Sequence, residues 1–104
     1  ITKHWREILY IIQRNKMKIE FPDRHAINQE TGGINFLAFV NNNEIVCQVS
    51  NEALQDINPE KRHDPIEKRF NDNKSAIQSI AKQKIENGES NIFVSSDNVR
   101  SKDV

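Results

Sequence analysis

Residues 32–50 read Gly32-Gly33-Ile34-Asn35-Phe36-Leu37-Ala38-Phe39-Val40-Asn41-Asn42-Asn43-Glu44-Ile45-Val46-Cys47-Gln48-Val49-Ser50. Two apolar runs flank three asparagines. Asn tolerates left-handed backbone angles and its amide can bond its own backbone, so Asn41–Asn43 predicts a turn. The flanking runs hold the β-branched and aromatic side chains that suit a pleated surface. In the second run Ile45, Cys47 and Val49 alternate with Glu44, Val46 and Gln48, which completes the pattern of a β-hairpin with one buried face. The first run is apolar on both sides: Ile34, Phe36, Ala38 and Val40 on one, Leu37 and Phe39 on the other. A strand with one solvated face would alternate more strictly. Leu37 and Phe39 are therefore the candidate protein-contact residues, on a face that residues 1–16 or a second copy of the chain would cover.

Upstream of the hairpin, residues 17–21 alternate Ile19 and Phe21 as a short strand, which Pro22 ends by removing a ladder donor. Residues 22–33 read as a polar connection. Downstream, Ser50 is placed to cap a short helix over 51–57, with Ala53, Leu54 and Ile57 inward, and Asn58-Pro59 stops it. Asp64-Pro65-Ile66-Glu67 has the form of a capping box with Pro at the first helical position. It predicts a long helix over 65–87, with Gly88 as its left-handed stop. Ile66, Phe70, Ile77, Ile80, Ala81 and Ile85 share one arc of that helix, while its other side mixes charges of both signs. Residues 91–95 are a final strand whose place in the sheet the sequence leaves open. Residues 96–104 are polar and read as a frayed tail.

A chain of 104 residues supports one domain, and its 36% hydrophobic content allows a small core. Residues 1–16 have helical spacing, with Ile1, Trp5, Ile8 and Ile12 on one face. The only methionine is Met17, however, and residues 1–16 are expected to be a leader outside the evolved domain, which then spans residues 17–99 with a tail at 100–104. The longest apolar run, Ile8–Ile12, is far short of the roughly 20 residues of a membrane helix. No membrane partner is expected. The single cysteine cannot close an internal disulfide, which fits a reducing, cytoplasmic setting.

Net charge is zero but unevenly spread. Residues 1–18 carry five basic groups (Lys3, Arg6, Arg14, Lys16 and Lys18) against Glu7, a local +4, so the remaining 86 residues carry −4. An acidic body argues against a phosphate-backbone partner, whose affinity comes mainly from Lys and Arg.

No catalytic, metal-binding or cofactor-binding set is found. His25 and His63 lack a second ligand at metal spacing. Cys47 lies mid-strand on the core side, where a thiol packs as a small hydrophobe and lacks the cation and access that reactivity needs. Phosphate-loop and nucleophile-elbow patterns are missing too. The chain is read as a non-enzyme without cofactors.

Three stretches together carry a resemblance. Residues 17–24 (Met-Lys-Ile-Glu-Phe-Pro-Asp-Arg), residues 45–54 (Ile-Val-Cys-Gln-Val-Ser-Asn-Glu-Ala-Leu) and residues 70–88 with their Ile-x-x-Ile-Ala-x-x-Lys-Ile core resemble the domain of unknown function 1488 family, small bacterial proteins that include the YrdB-like proteins. The likeness covers residues 17–99. It implies a small α+β layer with helices on one face of an antiparallel sheet, and it carries over no active site. Some relatives bear the label of transcriptional regulator. The expectation is thus a two-layer α+β domain. A mainly antiparallel four-stranded sheet (17–21, 34–40, 44–50 and 91–95) is covered on one face by a short helix and a long one. A protein-interaction module, through self-association or another protein partner, is the first functional reading. A nucleic-acid-associated transcriptional regulator is the second.

Overall fold

Asn41 and Asn42 hold φ of 51° and 69°. This left-handed pair is what a two-residue type I′ hairpin turn requires, and Asn supplies it at low steric cost. The computed structural model describes residues 17–101. Its elements run β1 (Ile19–Glu20), β2 (His25–Ile27), β3 (Ile34–Val40), β4 (Asn43–Val49), α1 (Asn51–Asp56), a 3-10 turn (Pro59–Lys61), α2 (Ile66–Asp72), α3 (Lys74–Glu86), β5 (Phe93–Val94) and α4 (Ser96–Ser101). The hairpin is β3–β4, in register from Ile34 opposite Val49 to Val40 opposite Asn43. Asn43 thus belongs to β4, and the turn is two residues rather than three.

Among the described residues the sheet is mixed and has five strands, not four. β1 and β2 both pair antiparallel with β3, β1 at the Val40 end and β2 at the Ile34 end. β4 flanks β3 on the other side, and β5 lies parallel to β4, with Gln48 opposite Phe93 and Val49 opposite Val94. β2 falls inside the stretch expected to be a polar connection. Its loop back to β3 is tied by Asn28, whose N–H donates to the Gly33 carbonyl at 2.8 Å and whose side chain accepts from Glu30 N–H at 3.0 Å. Gly33 is required there, because a Cβ on it would lie 2.3 Å from the Val49 carbonyl oxygen.

Among the described residues there are four helices, not two. The expected 65–87 helix breaks at Asn73. In an unbroken helix the Asn73 N–H would donate to the Arg69 carbonyl. Instead the Asn73 side-chain amide takes that acceptor at 2.8 Å, and its N–H turns to Phe70 at 3.2 Å. Asn71-Asp72-Asn73 is a run of weak helix formers whose side chains compete for backbone partners. The capping box also fails to form. Pro65, at φ −55° and ψ 145°, is itself the cap, and no side chain closes it. Asp64 lies instead beside Lys68, at 3.7 Å. The other two caps match expectation. Ser50 Oγ accepts the Ala53 N–H at 2.9 Å. Gly88, at φ 81°, closes α3 as a Schellman motif, with Gly88 N–H to Ile85 and Glu89 N–H to Lys84. Residues 96–101, read as part of a frayed tail, form α4: Ser95 and Asn98 bond reciprocally at its start, and Val99 is buried.

The core sits on one face of the sheet. Ile34, Phe36, Ala38, Cys47, Val49 and Val94 meet Ala53, Leu54, Phe70, Ile77, Ile80, Ala81, Ile85, Ile92 and Val99 in one buried cluster. Phe70 is at its centre, with ring centroids 5.6 Å from Phe36 and 4.8 Å from His25. The arc read from the sequence is therefore the inner face of α2 and α3, and the break at Asn73 does not rotate it away. Residues 1–16 and 102–104 lie outside the described residues, so the expected leader is not placed.

Candidate interaction face

Strand pairing fixes what the other face of the sheet presents. Because directly opposed residues share a face, Leu37 stands beside Val46, and Phe39 stands between Glu44 on β4 and Glu20 on β1. Asn35 lies between Ala26 and Gln48, and Phe93 follows Gln48 on β5. The two candidate contact residues are thus brought together on one surface. Both are half-buried. The most exposed apolar groups there are Val46, at 56%, and Phe93, at 43%. Alternation with Glu44 and Gln48 places Val46 on this side, but one apolar residue between two polar ones carries little signal of a contact face. Phe93 could not be placed without knowing where β5 joins the sheet.

Val46 is a ridge between two shallow depressions. One, of about 290 Å³, is lined by Arg24, His25, Ala26, Asn35, Leu37 and Val46. The other, of about 320 Å³, is lined by Val46, Gln48, Asn91, Ile92 and Phe93. Four charged groups stand around this surface. Lys18 and Glu20 pair with each other at 3.0 Å. Arg24, whose carbonyl accepts the Leu37 N–H at 3.3 Å, and Glu44 have no ion-pair partner among the described residues.

The residues with chemical potential do not converge on this surface. Cys47 is fully buried, and loss of hydration pushes its thiol up to about 11, so it stays protonated at neutral pH. His25 packs on Phe70, and His63 is exposed on the turn before α2. Asp23, held below the usual carboxylate range by its hydrogen bond and charge contact with Lys74, ties the β1–β2 connection to α3. Arg69 is 8% exposed. Its Nε donates to the Asp64 carbonyl at 3.0 Å, while its Nη1 is buried without a partner. Among the described residues no group of three or more His, Cys, Asp or Glu is placed to hold a metal, and no helix is long and apolar enough to cross a membrane.

No curated protein and no solved structure shows a significant match to the chain. The family described as protein of unknown function, DUF1488, matches residues 19–94, from the first residue of β1 to the last of β5. That span holds residues 45–54 and 70–88 and all but the first two residues of 17–24, the stretches that carry the resemblance, and the chain belongs to the DUF1488 family.

Proposed function

We propose that this chain is a non-enzymatic protein-interaction module whose working surface is the open face of the sheet. The observation that carries the reading is the exposure of Val46 and Phe93 beside the half-buried Leu37 and Phe39, while the helices cover the other face. Exposed apolar side chains are unremarkable singly and informative when contiguous. The groups that could do chemistry are buried, packed or isolated, which supports a binding role over a catalytic one.

A photo-crosslinking residue in place of Gln48 tests this in cells. It should yield a protein adduct of defined mass that Val46→Asp abolishes, while the same probe in place of Lys82, on the outer side of α3, yields none. Adducts from both positions, or from neither, would sink the reading. Tight binding to duplex DNA that weakens steeply with salt would instead favour a nucleic-acid-associated regulator.

A further inference from the structure

We infer that the partner on this face is a second copy of the chain, packed about a two-fold axis so that Arg24 of each copy meets Glu44 of the other. The inference rests on the preceding reading and names its partner. Arg24 continues β2 beside Leu37, and Glu44 lies on β4 opposite Phe39. They flank β3 from opposite sides, about 10 Å apart across two strand spacings, and two residues apart along the strand. A two-fold axis lying in the plane between two facing sheets and bisecting the line from Arg24 to Glu44 carries each position onto the other. The same surface is then complementary to itself, as an isologous interface requires. Leu37, Phe39 and Val46 fall between the two ion pairs, where they would be shielded from water. The depressions on either side of the Val46 ridge leave room for the facing side chains.

Charge favours this occupant over others. Lys18 already satisfies Glu20 within the chain, so the face offers a partner one free cation and one free anion among the described residues. A polyanion would meet Glu44, and a basic peptide would meet Arg24, each as a like charge. A second copy meets both as opposites. The chain's formal net charge of zero puts no long-range repulsion between two copies.

Sedimentation of the full chain and its charge-reversal variants tests the inference. The native protein should run at twice the single-chain mass of 12.1 kDa. Arg24→Glu and Glu44→Arg should each weaken the dimer by at least about a hundredfold, since like charges then oppose at both contacts. Each should keep its far-ultraviolet circular dichroism. Mixed together, they should pair again, because one chain now presents two acids and the other two bases. A mixture that stays monomeric would overturn the Arg24–Glu44 register. A native chain that is monomeric overturns the self-association but leaves the interaction face standing, to be judged by the Gln48 probe. If Trp5 emission in that monomer also shifts red on Val46→Asp, residues 1–16 are the occupant instead. A native dimer that resists both reversals and Val46→Asp assembles elsewhere and overturns this inference, while the interaction face is again judged by the Gln48 probe.

Discussion

Phe70 is 1% exposed, and its ring is the meeting point of sheet and helices. Truncating a buried Phe to Ala typically costs about 3–5 kcal/mol, because lost transfer energy and cavity energy add. Against a total stability of about 5–15 kcal/mol for a small domain, Phe70→Ala should lower the urea midpoint sharply. A variant as stable as the parent would contradict the position given to this ring. Cys47 offers a check by pH. The folded chain holds the thiol proton up to about 11, whereas the unfolded chain releases it near the ordinary value. Between roughly pH 9 and 11 the unfolded state therefore binds fewer protons, and stability falls by at most about 1.4 kcal/mol per pH unit. Below that window the group contributes no slope. Cys47→Ala should lack this part of the alkaline decline, as seen in denaturant melts at stepped pH; parallel curves would mean that the thiol is hydrated. Arg69 makes the opposite case. A buried N–H without an acceptor costs about 1–3 kcal/mol, so Arg69→Met should keep or raise the melting temperature. A fall of several degrees would show that the Nε bond to the Asp64 carbonyl, or an acceptor for Nη1, outweighs that cost.

At the scale of elements, the hairpin, the Ser50 cap, the Gly88 stop and the inner arc of the long helical segment were readable from the sequence. Each is written in local chemistry: a turn of Asn residues, a hydroxyl at a cap, a glycine, an apolar repeat. What could not be read depends on partners far along the chain. His25-Ala26-Ile27 is three residues long and becomes a strand only because β3 has a free edge there. Phe93–Val94 is two residues long and joins β4 through Gln48 N–H to Ile92 and Ser50 N–H to Val94, at 2.9 and 3.0 Å. The break at Asn73 was within reach, since Asn71-Asp72-Asn73 is a visible weak point, but the apolar arc runs straight through it. The place of Leu37 and Phe39 on the face away from the core was legible from a doubly apolar strand, whereas that of Arg24 and Phe93 needed β2 and β5 to be placed. Gly88 gives the element-level prediction. Nothing lies within 4 Å of where its Cβ would be, so Gly88→Ala meets only the penalty of φ 81°. It should lose about 1 kcal/mol in a thermal melt, and no loss would mean that the helix end re-forms without the left-handed residue.

Over the whole molecule, the C-terminal segment is part of the core rather than an appendage. Ile92, Val94 and Val99 are each at most 5% exposed, and α4 packs on α1 with Arg100 reaching Asp56 at 3.4 Å. Removing residues 96–104 exposes the surface under Val99, whose burial alone is worth about 1.5–3 kcal/mol. The shortened chain should melt several degrees lower, and an unchanged midpoint would return that segment to the status of a tail. The parallel pairing of β4 with β5 also has a meaning for synthesis. The strand that completes the sheet lies about 45 residues downstream of the hairpin, which at about 5–20 residues per second leaves the hairpin waiting roughly 2–9 s for its neighbour. During that interval Ile34, Phe36, Cys47 and Val49 have no complete cover. Ribosome-bound chains exposed only as far as Gly88 should accordingly be cut readily by protease and held by chaperones, while chains exposed through Ser101 resist cleavage. The emergence of residues 89–101 would then decide when the nascent domain closes over the hairpin.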